Sequence, residues 1–198
     1  MKIGIFGGSF NPPHKMHKNI AKYLIDNNYV DRVIFVPTGS KYKYKNNLLP
    51  DEVRFKMLEL MLDNQENMSV DGYELKSEVV YTCDTLKYFS EVYPNDTIYF
   101  ICGTDNLTYV DKWKNGEYLL ENHKFLVIRR DTDDIEEILV RFDKYKENFV
   151  IADMPMEEIS STMIREGLAN RDESVINYLD REVYEYIMKN NMYHKIEV

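Results

Sequence analysis

Six short apolar runs alternate with amphipathic stretches along the whole chain, and that alternation limits the fold more than any other feature. The runs are KIGIF, RVIFVP, NMSVDGYEL, TIYFIC, KFLVIRR and NFVIADM. Several are apolar on consecutive residues, as strands covered on both faces must be. Between them apolar residues recur at helical spacing. Ile20, Ala21, Leu24 and Ile25 do so in KNIAKYLIDNN; Val53, Met57, Leu58 and Met61 do so in DEVRFKMLELML, which opens on Asp51 behind Pro50. DTLKYFSEVYP and DDIEEILVRFDKY read the same way, and DREVYEYIMKNNMY closes the chain on Val183, Ile187 and Met188. The order β–α–β–α predicts an α/β fold: a Rossmann-like, doubly wound parallel sheet with helices on both faces, joined by right-handed crossovers. The 198 residues are read as one domain, 1–198, with a C-terminal helical part from about residue 160.

In an open parallel sheet, ligands bind beyond the carboxyl ends of the strands. Four polar, loop-forming clusters fall there: GGSFNPPHKMH after the first run, PTGSKYKYKN after the second, GTDN after TIYFIC, and ISSTMIR after NFVIADMPMEE. The segment KYKYKNN is the expected mobile loop. In the first cluster Gly7 and Gly8 permit backbone conformations and close ligand approach that a side chain obstructs, while Pro12 and Pro13 stiffen the exit. A helix then starts between His14 and His17. Its unpaired N–H groups and dipole favour an anion, and two imidazoles add donors.

Other chemistries fit this cluster less well. The dinucleotide fingerprint lacks its third glycine, and Pro-Pro intervenes before any helix can begin. A Walker A loop lacks Gly-Lys-Ser/Thr. His14 and His17 could share a helical face toward a metal, yet no third ligand of suitable spacing lies nearby, so no metal site is expected. Cap and packing roles for the two histidines are the structural alternative. A formal charge of −9 disfavours broad nucleic-acid or anionic-membrane surfaces, which need clustered Lys and Arg, but leaves room for a small anionic ligand. Cys83 and Cys102 lack CxxC spacing and read as buried free thiols. No apolar stretch approaches the roughly 18 residues of a membrane span. The N-terminus lacks the succession of basic, apolar and small residues that marks a secretory signal, so a cytoplasmic protein is expected.

At this point the chain resembles a known family. GGSFNPPHKMH is similar to the G-[ST]-F-[DN]-P-x-H-x-G-H motif of the nucleotidyltransferase superfamily, and ISSTMIR to its late I-S-S-T-x-I-R motif. One departure is Met16, which stands where the motif has glycine. YTCDTL at 81–86, GTDN at 103–106 and KW at 112–113 resemble elements of the nicotinate/nicotinamide mononucleotide adenylyltransferases, and the resemblance runs from residue 1 to about 193. Pantetheine-phosphate adenylyltransferases and cytidylyltransferases share the end motifs but not these central ones. A nucleotide-binding regulatory module that has lost turnover is the alternative of a different class.

The resemblance implies a nucleotidyltransferase-type fold and the transfer of AMP from ATP to nicotinate mononucleotide in NAD biosynthesis, giving nicotinate adenine dinucleotide and pyrophosphate, with the same reaction on nicotinamide mononucleotide as the alternative. It implies catalytic roles for His14, His17, Lys45 and Arg165. ATP would be held by Gly8, Ser9, Phe10, His14, His17, Gly103, Asp105, Ser161, Thr162 and Arg165. The mononucleotide would be held by Gly7, Gly8, Ser9, Lys43, Tyr81, Thr82 and Trp113, with Trp113 stacked on the pyridine ring. Asp105 would accept from the adenosine ribose; its structural alternative is a helix cap. Mg²⁺ is expected to arrive with ATP. KYKYKNN looks more like the dual-specificity eukaryotic enzymes than the bacterial nicotinate-specific ones, so nicotinate and nicotinamide mononucleotide both stay open. The partners implied are these small molecules, with no nucleic acid and no membrane. The oligomeric state is open, a homodimer being one form.

Overall fold

Strand β1 (Lys2–Gly8) lies at the middle of a six-stranded parallel sheet in the computed structural model, which describes residues 1–41, 48–76, 79–129, 135–155 and 157–194. The other strands are β2 (Arg32–Pro37), β3 (Met68–Val70), β4 (Thr97–Gly103), β5 (Lys124–Arg129) and β6 (Phe149–Asp153), in the spatial order β3-β2-β1-β4-β5-β6. Every pairing is parallel, with Ile5 of β1 opposite Ile34 on one side and Phe100 on the other. The chain therefore winds outward from β1 to β3, returns to β4, and winds outward again the other way. The point of reversal lies between β1 and β4, where a crevice opens at the strands' carboxyl ends.

Eight helices are described: α1 (Lys15–Asp26), α2 (Asp51–Met61), α3 (Thr82–Val92), α4 (Thr104–Leu107), α5 (Gly116–Asn122), α6 (Ile135–Arg141), α7 (Ser161–Ala169) and α8 (Arg181–Lys189). Strand residues alternate between two cores, as the two-residue period requires. Val33, Phe35, Ile101, Leu126 and Ile128 pack with α1, α2, α7 and α8; Ile34, Val36, Phe100, Cys102, Phe125 and Val127 pack with α3, α5 and α6. Gly4 lets β1 lie close beneath the first layer, since a Cβ there would stand 2.6 Å from Ile101 Cδ1. Both cysteines are buried and free.

Three sequence expectations are corrected. NMSVDGYEL gives a strand of only three residues, because Asp71 Oδ1 accepts the Tyr73 N–H at 2.8 Å and turns the chain into a 3₁₀ helix over Tyr73–Leu75. Helix α6 stops at Arg141 and a 3₁₀ segment, Asp143–Asn148, follows it. Met188 is 40% exposed, because it stands about 140° round the helix from buried Val183. Among the described residues no helix is long and apolar enough to cross a membrane.

Candidate active site

The loop after β1 is shaped by phenylalanine as much as by glycine. Among the described residues no glycine has a positive φ; Phe10 does, at 46°. Gly7 and Gly8 thus contribute by lacking side chains rather than by unusual backbone angles, which corrects the expectation for them. A Cβ on Gly8 would come within 3.0 Å of the Phe10 ring, which folds back over it. That ring is 2% exposed and sits edge-on to Phe6 and His17, with centroids 5.8 and 5.0 Å away. Burying it stabilises by about 1.5–3 kcal/mol, enough to offset the roughly 1–2 kcal/mol of a left-handed residue.

Helix α1 begins at Lys15 with His14 as its extended N-cap. His17 Nδ1 accepts the His14 backbone N–H at 3.2 Å, so the His17 ring carries its proton on Nε2. The two imidazoles stack with centroids 3.7 Å apart. Burial pushes His14 down to about 4, and burial together with the charge of His14 holds His17 well below its usual value. Both rings are neutral near pH 7 and act as hydrogen-bonding groups rather than cations. His14 Nδ1 is buried and has no hydrogen-bond partner among the described residues. An unmet buried polar atom costs about 1–3 kcal/mol, which suits a site whose partner comes from outside the fold.

The late motif closes onto this loop. Ser160 caps α7, its Oγ accepting the Met163 N–H at 3.1 Å. Ser161 Oγ donates to the Pro12 carbonyl at 2.8 Å. Arg165 Nη1 donates to the Asn11 carbonyl at 2.7 Å, and its Nη2 to Thr162 Oγ1 at 3.1 Å. Tyr193 donates its hydroxyl to Asn11 Oδ1 at 2.7 Å. Segments from opposite ends of the chain are thereby hydrogen-bonded to each other at the rim of the crevice.

A cavity of about 790 Å³ occupies that crevice. Of the expected site residues it is lined by Gly7, Gly8, His14 and His17 from the first motif, Tyr81 and Thr82 at the start of α3, Gly103 and Asp105 at the end of β4, Trp113, and Ser161. The N-termini of α1, α3 and α7 open onto it, presenting unpaired N–H groups suited to phosphate or carboxylate. Asp105 is exposed in the first turn of α4, whose N-cap is Gly103. Trp113 is half-buried, edge-on to Phe100 at 6.0 Å. Met16 is buried on α1 and lines the cavity while leaving the histidine pair stacked.

Ser9, Phe10, Thr162 and Arg165 are not among the lining residues. Phe10 is in the core, and Arg165 with Thr162 ties α7 to the opening loop. Lys43 and Lys45 lie outside the described residues. No group of three or more His, Cys, Asp or Glu among the described residues is placed to hold a metal ion.

Sequence reasoning missed Arg54, whose side chain is fully buried. Its guanidinium donates to the carbonyls of Leu49, Ser9 and Thr38 at 2.9, 2.7 and 2.7 Å and to Asp51 Oδ1 at 2.6 Å. One side chain thus holds the loops after β1 and β2 to the start of α2. It also missed Lys114, which lines the cavity with its ammonium 4.2 Å from the centroid of the Tyr81 ring.

Comparison with known proteins gives a consistent result. The model of the cytidylyltransferase-like family matches residues 5–167. A probable nicotinate-nucleotide adenylyltransferase of Caldicellulosiruptor saccharolyticus is 36% identical over 98% of this chain and 99% of its own. One of Clostridium novyi is 36% identical over 90% and 91%. Among solved structures, the Plasmodium falciparum nicotinic acid mononucleotide adenylyltransferase complexed with NaAD superposes with a TM-score of 0.81 at 24% identity, covering 97% of each chain. The same protein complexed with APC gives 0.78 at 25%, covering 97% of this chain and 96% of that one.

Proposed function

The chain belongs to the cytidylyltransferase-like family, among the nicotinate-nucleotide adenylyltransferases, and from that premise we propose that it transfers AMP from ATP to nicotinate mononucleotide. The products are nicotinate adenine dinucleotide and pyrophosphate, a step of NAD biosynthesis. The observation that carries this reading is the joining of the two end motifs at the β1–β4 crevice, where the stacked histidines and the N-terminus of α7 face one cavity.

The chemistry asks little proton transfer of the protein. A phosphate monoester is largely dianionic at neutral pH, so its oxygen attacks the α-phosphorus of ATP without a general base. A P–O bond forms to the mononucleotide while the bond to the bridging oxygen breaks, and pyrophosphate leaves with that electron pair. Catalysis then rests on positioning and on stabilising charge at the phosphoryl oxygens. His17, with its proton on Nε2, and His14 donate to the α- and β-phosphates. Lys45 adds a cation. The first turn of α7, through Ser161 and Thr162, receives the leaving group, and Arg165 fixes that turn against the opening loop while lending its charge. Gly8 supplies the backbone on which the phosphates rest, and Ser9 and Phe10 shape the turn behind it.

At the other end, Trp113 stacks on the pyridine, Tyr81 and Thr82 meet its substituent at the α3 N-terminus, and Lys43 approaches the mononucleotide phosphate. Gly103 lets the adenosine come close, and Asp105 accepts from its ribose. The donors in the cavity are mostly imidazole, hydroxyl and amide groups, a set that fits Mg²⁺ carried on the ATP phosphates rather than caged by protein. The ion supplies charge neutralisation there. Pyrophosphate release with ATP and nicotinate mononucleotide tests the reading, with phosphopantetheine and CTP pairs as controls. Turnover with the pyridine mononucleotide supports it, whereas turnover only with a control pair, or with none, overturns it.

A further inference from the structure

The cavity of an enzyme that binds two phosphorylated substrates is expected to be rich in Lys and Arg. Among its described lining residues there is one, Lys114. Its contacts are with Tyr81 and Asp84 rather than with the histidine pair. Its Nζ lies 4.2 Å from the Tyr81 ring centroid and 3.7 Å from Asp84 Oδ2, beside Trp113 and the first turn of α3. Asp84 is itself held in place, since its Oδ2 accepts the Tyr81 N–H at 3.2 Å. Glu74, also on the cavity wall, accepts the Thr85 hydroxyl at 2.7 Å. Lys114 by contrast is held by one long ion pair and a ring face, both at a side chain 48% exposed, so its ammonium is free to turn toward a ligand.

We infer that Lys114 is a specificity-determining residue, whose ammonium favours a mononucleotide bearing a carboxylate on its ring over one bearing a neutral carboxamide. The inference rests on the proposed function, which sets the pyridine at the Trp113 and Thr82 end. Two substrates that differ only in that substituent share ribose, phosphate and ring, so a cation at the phosphate would raise affinity for both alike. A cation at the ring substituent separates them, because the carboxylate forms an ion pair with the ammonium while the carboxamide offers only a dipole to accept its hydrogen bond. The N-terminus of α3 adds to the same preference.

The test compares kcat/KM for nicotinate and nicotinamide mononucleotides at saturating ATP in the wild type, K114Q and K114R. Being half exposed, position 114 can accept either replacement without a packing defect. The expected result is a roughly ten-fold fall in the nicotinate-to-nicotinamide ratio for K114Q, carried by KM of the nicotinate substrate, with the ratio kept in K114R. An unchanged ratio, or equal losses on both substrates, would overturn the inference by placing the charge at the shared phosphate or at neither. A wild type that releases no pyrophosphate with either mononucleotide would overturn the proposed function, and this inference with it. Turnover with a reversed ratio in the wild type overturns the inference alone.

Discussion

His14 and His17 show how far a pair of residues can be understood from spacing alone, and where that stops. Their three-residue separation at a glycine-rich strand-to-helix junction points to phosphate, but their neutrality is a property of burial that no spacing reveals. The His14 pKa is about 4 when folded, against roughly 6.5 when unfolded, so the unfolded chain takes up its proton first. Stability from this group is complete above about pH 6.5 and is lost as pH falls through the window down to 4, by about 3 kcal/mol. Urea titrations of the ligand-free enzyme between pH 8 and 4 should contain that loss alongside those from His17 and His123, which burial also lowers, and His14→Gln should reduce the slope. His17→Ala should lower kcat on the order of 100-fold in a chain that still folds, because it deletes a donor used in the transition state. Near-normal kcat there would mean that the ring only packs. Arg54 marks the opposite limit: one charge beside Val53 on an amphipathic helix reads as solvated surface. Its burial depends on carbonyls that three separate segments bring to it.

Helices were the most legible elements, since α1, α2 and α7 begin where an N-cap or proline signals them. Short irregular pieces were not, because the turn at Asp71 and the 3₁₀ segment after α6 are set by single hydrogen bonds and by packing rather than by periodicity. For the docking of α7 the motif spacing indicates only proximity to the opening loop. In the structure it is a set of specific bonds from Ser161 and Arg165 to the Pro12 and Asn11 carbonyls. Arg165→Ala removes the charge-assisted bond to Asn11 and should cost about 1.5–3 kcal/mol of unfolding free energy. It should also raise KM for ATP more than for the mononucleotide, because the loosened turn is the one that meets the triphosphate. Steady-state kinetics with each substrate varied in turn would show this; equal effects on both would mean that the arginine acts through global stability.

At the scale of the whole molecule, alternating strands and helices with right-handed crossovers confine a chain to few sheets, and the polar clusters then share one edge. The order β3-β2-β1-β4-β5-β6 is not encoded in the alternation itself, and it is the order that makes the edge a site. With the reversal between β1 and β4, the loop after β1 and the GTDN segment after β4 become walls of one crevice, and α7 closes its rim. Lys114 escaped notice because its neighbours in space, Tyr81 and Asp84, belong to another crossover. The most direct measurement is a crystal structure with nicotinate adenine dinucleotide bound. The account predicts its phosphates between the His14–His17 pair and the N-terminus of α7, with the pyridine against Trp113. A dinucleotide bound away from the β1–β4 crevice, or with its phosphates remote from both imidazoles, would contradict it.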